Sequence, residues 1–220
     1  MSYLRAQVFV LKKEPFREHD RLYFLYGREH GLLTVVARGS SLSHSKQAGV
    51  LEPFSSIDVM IAQGQAFDKL AVAKNTEPAM GFKTLAAYII MGALCNLVIS
   101  LLRSGISDER VFHLLCETRR VCAGLASEPT SVRARIVFNG AALKLLDLLG
   151  FGPALSDSLD LPAESITLIK FIRSFPLTDV PRVTAETSVF DAASRFVENA
   201  LSYTPLEAPP HGPATIRAIL

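Results

Sequence analysis

Through residue 80 the apolar positions come in short runs rich in Val, Ile, Tyr and Phe: Val8 to Leu11, Leu22 to Tyr26, Leu32 to Ala37, Ile57 to Ile61 and Leu70 to Ala73. Runs of this length, most of them bounded by turn residues, predict β-strands. Five of them in about seventy residues match a small barrel, either OB-like or SH3-like. Gly27 and Gly31 bracket one tight connection, Gln63-Gly64-Gln65 reads as a hairpin turn, and Gly39 to Gly49 is a Ser-rich loop within the domain. From Phe82 the apolar period lengthens toward that of a helix. The run ending at Arg103 is followed by Ser104-Gly105 as a C-cap, and Ser107 with Asp108 and Glu109 reads as an N-cap plus first-turn acids. A second helix then reaches Leu125, and a third opens at Pro129-Thr130 and runs to Gly150. Two more follow, near 163–174 and 185–202. The predicted class is α+β: a five-stranded barrel over 1–79, an α-helical bundle over 80–202, and a Pro-rich, loosely ordered tail over 203–220.

One segment tests this picture. Thr84 to Leu102 carries no charge over 19 residues, long enough to cross a bilayer. Asn96 and Ser100 interrupt it and no second span accompanies it, so it is expected to be the central helix of the bundle rather than a membrane anchor. Composition agrees with a folded chain, since 49% of residues are hydrophobic, 20% are charged and the mean hydropathy is +0.28. The first sixteen residues lack the pattern of an export signal, and a cytoplasmic location is expected.

The residues offer little to catalysis. Cys95, Cys116 and Cys122 each sit in apolar runs, which speaks against a disulfide framework or a zinc site and for small core residues. The five histidines have no partner at ligand spacing. The loop from Gly39 to Lys46 lacks the second glycine and the hydroxyl residue of a phosphate loop. In Gly150-Phe151-Gly152 a helix precedes the glycines and Leu155 stands where a dinucleotide fingerprint needs its third glycine, so this is a helix stop. No catalytic residue, metal or cofactor is assigned, and the protein is expected not to be an enzyme.

Charge becomes informative once it is divided. The total is +2, but residues 1–80 hold ten basic and eight acidic side chains, 81–150 eight and five, and 151–220 five and eight. A basic front thus precedes an acidic back. Lys12, Lys13, Arg17, Arg21, Arg38 and Lys46 fall at strand ends and loops of the barrel, where phosphate contacts and stacking aromatics bind oligonucleotides. Phe9, Phe16, Tyr23, Phe24 and Tyr26 are the candidate aromatics, although alternate ones must fill the core. In the helical half, Arg119, Arg120, Arg133 and Arg135 flank the connection around Pro129 and suit a patch for nucleic acid or an acidic peptide.

The order of motifs resembles a known family. Val10-Leu11-Lys12, Glu18-His19-Asp20-Arg21-Leu22, Glu29-His30-Gly31-Leu32-Leu33, Val36-Ala37-Arg38-Gly39 and Leu51-Glu52-Pro53-Phe54 resemble the N-terminal half of the bacterial RecO recombination mediators. Leu148-Leu149-Gly150-Phe151-Gly152-Pro153 is similar to that family's mark at the end of the third helix of its bundle. The resemblance implies an OB-fold with a helical domain, binding of single- and double-stranded DNA, and ATP-independent strand annealing. It also implies partnership with RecR and with the tail of single-strand-binding protein. Arg38 and the loop to Lys46 take the place of the family's DNA-facing loop, with Ser40, Ser41, Ser43 and Ser45 at places often basic in relatives. Ser156, Asp157 and Ser158 replace a cysteine cluster common in relatives, so no structural zinc is expected. Phe138-Asn139-Gly140 stands where relatives carry an Arg-aromatic-Glu signature, with Arg133 and Arg135 as substitutes for that partner pocket.

Overall fold

A computed structural model describes residues 2–41, 49–76, 81–125, 131–155 and 161–204. The strands are β1 (Tyr3–Pro15), β2 (Arg21–Gly27), β3 (Gly31–Ala37), β4 (Ser56–Ala62) and β5 (Asp68–Asn75); the helices are α1 (Leu85–Leu101), α2 (Glu109–Ala123), α3 (Ser131–Leu148), α4 (Ala163–Ser174) and α5 (Thr187–Tyr203). The strands close into a barrel in the order β1-β2-β3-β5-β4, with β3 and β5 parallel and the other neighbours antiparallel. This is the OB-like of the two expected barrels. The long β1 makes closure possible: Tyr3 to Phe9 pair with β4, Val8 to Pro15 pair with β2, and a bulge between Val10 and Lys12 bends the strand between them.

Strand alternation fills the interior with Val8, Val10, Tyr23, Leu25, Val35, Ala37, Ile57, Val59, Ile61 and Leu70. Leu51, from the segment between β3 and β4, adds to the same cluster and is fully buried. The Ser-rich loop between Leu42 and Ala48, with Lys46, lies outside the described residues.

Two compact units make up the chain: Met1–Gly81 with Leu102–Cys116, and Phe82–Leu101 with Glu117–Leu220. Residues 102–116, read from sequence as part of the bundle, therefore pack with the barrel. The backbone of Ser104 forms bridges to Gly31 and Leu32 instead of capping α1, which ends three residues earlier at Leu101. Gly31 has φ +66°, and a Cβ there would collide with the carbonyl oxygen of Ile106. Only glycine permits this approach. The Tyr26 hydroxyl donates to the Asp108 carbonyl at 3.1 Å and accepts the Asp108 N–H at 3.0 Å. With its backbone held there, Asp108 rather than Ser107 caps α2: its carboxylate accepts the Arg110 N–H at 2.8 Å. Arg28 pairs with Glu109 through Nε at 2.8 Å and through Nη2.

In the second unit α3, not α1, is the central helix. It packs against α1, α4, α5 and a short 3-10 turn at Val180–Arg182, whereas α1 leaves Leu85 and Tyr88 66% and 48% exposed. Apolarity all round predicted α1 for the centre. α3 takes that place because its middle, Ile136 to Leu143, is buried without a break, and its buried polar group, Asn139, is satisfied by a 2.8 Å hydrogen bond to the Ser194 hydroxyl. The glycines at 150–152 stop α3, as expected from the sequence. Gly150 is left-handed, its N–H reaches the Asp147 carbonyl and the Phe151 N–H reaches the Leu146 carbonyl, the pattern of a Schellman turn. Arg173 then locks the turn, donating to Asp147 through Nε at 2.8 Å and through Nη2, and to the Pro153 carbonyl at 3.0 Å. A Cβ at Gly152 would overlap the Asp147 carboxylate. Among the described residues no helix is long and apolar enough to cross a membrane.

Candidate nucleic-acid interface

Three connections of the barrel are tied together at one end. The β1–β2 loop is a tight turn, with Asp20 donating its N–H to the Arg17 carbonyl and accepting from Phe16. The chain leaving β3 is bound to that turn: the Gly39 N–H donates to the Asp20 carboxylate at 2.9 Å, and the Ser41 N–H to the His19 carbonyl at 3.2 Å. Ser40 is buried, its hydroxyl turned back to the Ala37 carbonyl. The β4–β5 loop is fixed by the Gly64 N–H on the Asp68 carboxylate at 3.1 Å. It carries Phe67, whose ring meets Phe16 edge-on with centroids 5.1 Å apart. The β1–β2 and β4–β5 loops are the ones that take oligonucleotides in OB-folds.

On the far side of the Ser-rich loop the chain is pinned again. Leu51 enters the core, the Phe54 N–H donates to the Val10 carbonyl at 2.7 Å, and the Ser55 carbonyl accepts the Val10 N–H at 2.9 Å. Phe54 holds φ at +70°, a region that costs a non-glycine residue about 1 kcal/mol or more. Both ends of the Ser-rich loop are thus anchored on the barrel.

The predicted cations divide into classes here. Arg38 is exposed, and among the described residues its side chain makes no ion pair. Arg17 is exposed with its guanidinium 5.1 Å from the centre of the Phe16 ring. Arg21 is half-buried at the start of β2, opposite Ala37. Lys12 pairs with Glu14 at 2.6 Å and Lys13 with Glu52 at 2.7 Å, exposed pairs that hold their partners weakly. Of the candidate aromatics, Phe9, Tyr23 and Tyr26 are buried and unavailable for stacking. Burial pushes both phenols above their usual pKa, against the lowering effect of the hydrogen bonds to Ser40 and Asp108. Phe16 and Phe24 remain partly exposed, and Phe67, 43% exposed, joins them unforeseen. Its sequence signal was an aromatic within a turn rather than a strand.

The arginine patch of the helical unit is reduced. Arg119 is 3% exposed, so it is a packed residue and not a rim cation. Arg135 is largely covered and bound to Asp191 at 2.9 Å. Arg120 and Arg133 are exposed. Among the described residues no group of three or more His, Cys, Asp or Glu is arranged to hold a metal. Burial raises the thiols of Cys95 and Cys122, the latter to about 12, so neither is a thiolate at neutral pH. Ser156 to Ser158 lie outside the described residues.

A separate open groove of about 610 Å³ crosses β1, β4 and β5 beside the β2–β3 turn. Arg5 and Lys74 face it, but so do Asp58 and Glu29, and Met60 and Val72 line it. Mixed charge makes it a poor track for a polyanion.

Residues 1–79 match the family described as the N-terminal domain of recombination protein O. Over 156 residues the chain is 27% identical to the DNA repair protein RecO of Pelotomaculum thermopropionicum, covering 70% of this chain and 58% of that one. It is 28% identical to that of Syntrophobacter fumaroxidans over 71% and 61% of the two chains, and 34% identical to that of Acaryochloris marina over 68% and 50%. The chain thus spans about half to three fifths of the length of these curated relatives. A barrel of this strand order, the first domain that matches the recombination protein O N-terminal family, and relatives that extend the match into the helices make this chain similar to the RecO proteins.

Proposed function

We propose that this protein is a DNA-binding mediator of recombinational repair that acts without making or breaking a covalent bond. The observation that carries the reading is the tied loop cluster, which presents Arg17, Arg38 and Phe67 together from a closed barrel. Free guanidinium groups on such a rim neutralise phosphates and release counterions. Holding two complementary strands on one protein lowers their mutual repulsion and raises their effective concentration, so they anneal without ATP. In this reading the protein works in the bacterial cytoplasm at the nucleoid. Docking on RecR and on the tail of single-strand-binding protein delivers it to coated DNA, and RecA then replaces the coat. Its similarity to proteins known as DNA repair proteins RecO supports the repair role.

The test is annealing of complementary oligonucleotides without nucleotide at rising salt. The rate should fall steeply with salt and fall again in Arg17→Ala/Arg38→Ala. A salt-independent rate, or no acceleration, overturns the proposal.

The mixed-charge groove on β1, β4 and β5 favours a second reading, a protein-interaction scaffold with weakened DNA binding. The serines flanking Lys46 favour it too. If Arg38→Ala/Lys46→Ala leaves DNA affinity unchanged while RecR or the tail peptide still binds, the scaffold reading replaces the first.

A further inference from the structure

We propose that Phe67, backed by Phe16, is a base-stacking platform that makes the loop cluster select unpaired bases over duplex DNA. The proposal rests on the DNA-binding reading above and deepens it.

Phe67 lies in the connection between β4 and β5, in the sequence Gln63-Gly64-Gln65-Ala66-Phe67. It is the largest apolar side chain there and it is 43% exposed. Leaving a phenyl ring in water forgoes stabilisation of about 25 cal/mol per Å² of apolar surface, so an exposed ring brings folding less than a buried one. This ring is nevertheless held in place. Its edge-on contact with Phe16, at 70° between planes, fixes it against the neighbouring loop, and the Gly64 to Asp68 hydrogen bond closes the turn that carries it. Phe16 is itself covered by the Arg17 guanidinium. Two loops therefore meet through one aromatic contact with a cation at its margin.

That arrangement matches what an unpaired nucleotide needs. A base stacks on an aromatic face, and the phosphate beside it is met by a guanidinium. Bases in a duplex have their faces covered by their neighbours, so stacking adds nothing to duplex binding. Arg17 and Arg38 attract both forms, and Phe67 distinguishes them. The groove on β1, β4 and β5 is lined by no Phe or Tyr and offers no such discrimination.

The experiment uses the full chain and three probes of equal length, about 15 nucleotides, within the span of an OB-fold site. They are oligothymidylate, the same strand with abasic positions, and a duplex. The wild-type protein should bind oligothymidylate about tenfold more tightly than the abasic strand. Phe67→Ala should abolish that ratio and leave duplex affinity and the salt slope unchanged, while Phe67→Tyr should retain it. Arg17→Ala should instead lower the salt slope for every probe. Equal wild-type binding of the two single strands, or a ratio that survives in Phe67→Ala, overturns the platform and leaves the DNA-binding reading standing. Failure of every probe to bind overturns both.

Discussion

In the barrel unit Arg38 is exposed and makes no ion pair among the described residues, and Arg17 lies on the Phe16 ring. In the helical unit Arg135 is held by Asp191, and Arg173 by Asp147 and the Pro153 carbonyl. These are the same side chain with opposite fates. A guanidinium saturated by a half-buried carboxylate is part of the packing, and removing it leaves that carboxylate unsatisfied. A guanidinium on a loop that is itself pinned by backbone hydrogen bonds is free to meet a phosphate. Arg135 and Arg173 of the helical unit thus hold α3, α4 and α5 together, whereas Arg17 and Arg38 stand at the rim of the barrel.

Gly31→Ala is the most severe test of whether residues 102–116 belong to the barrel unit. The new Cβ would collide with the Ile106 carbonyl at a left-handed backbone. Urea denaturation should show a loss of about 3 kcal/mol. A loss below about 0.5 kcal/mol, the level of an ordinary surface change, would mean that residues 102–116 do not pack on β3.

The contrast between the arginines is sharpened by exchanging their tests. Arg173→Ala should cost about 2 kcal/mol of stability, the worth of charge-assisted bonds at a partly buried site, with DNA affinity unaltered. Arg38→Ala should change stability by less than about 0.5 kcal/mol but weaken single-strand binding several-fold, reducing the salt slope by about 0.7. Chemical denaturation and fluorescence anisotropy on both variants would separate them, and a reversed pattern would break the comparison.

The smallest effect concerns acid. The side-chain hydrogen bond from Arg110 holds Asp108 below its usual pKa of 3.8, although partial burial opposes it. The Arg28 bond, followed by that of His113, holds Glu109 below 4.5. Both carboxyls are lowered by folding, so the stability they add is present above their unfolded values and is lost as pH falls through the folded ones. Melting temperature should therefore drop on going below about pH 4.5. Asp108→Asn, which keeps a capping side chain without a charge, should make that drop shallower, by no more than about 0.5 kcal/mol because the Arg110 partner is exposed and solvent screens the pair. An unchanged acid profile in the variant would remove Asp108 from this account.

Much of the fold was legible because it rests on period. Each of the five apolar runs lies within a strand, although β1 extends well beyond Val8 to Leu11 at both ends, and α4 has its predicted limits. Phe9 and Tyr26 show where period stops informing. Both stand opposite each other in the β1–β2 ladder, outside the interior set, and yet both are buried. Alternation says which side of a strand a residue faces and does not say what covers that side. The candidate site was legible in its cations and largely illegible in its aromatics. Arg17 and Arg38 stand out as charges on loops, but Phe67 had to be seen beside Phe16 before it had a meaning.

A small barrel followed by helices, a basic front with an acidic back, the helix stop at Gly150 and the resemblance to the RecO proteins could all be read from the chain before folding, because they depend on local period, charge and motif. Tertiary structure alone decided that residues 102–116 join the barrel, that α3 and not α1 is central, and that Arg119, Arg135 and Arg173 are packed while Arg17 and Arg38 face solvent. The physical reason is range: propensity and charge are properties of neighbouring residues, whereas burial and ion pairing are set by partners such as Asp191 for Arg135, 56 positions away.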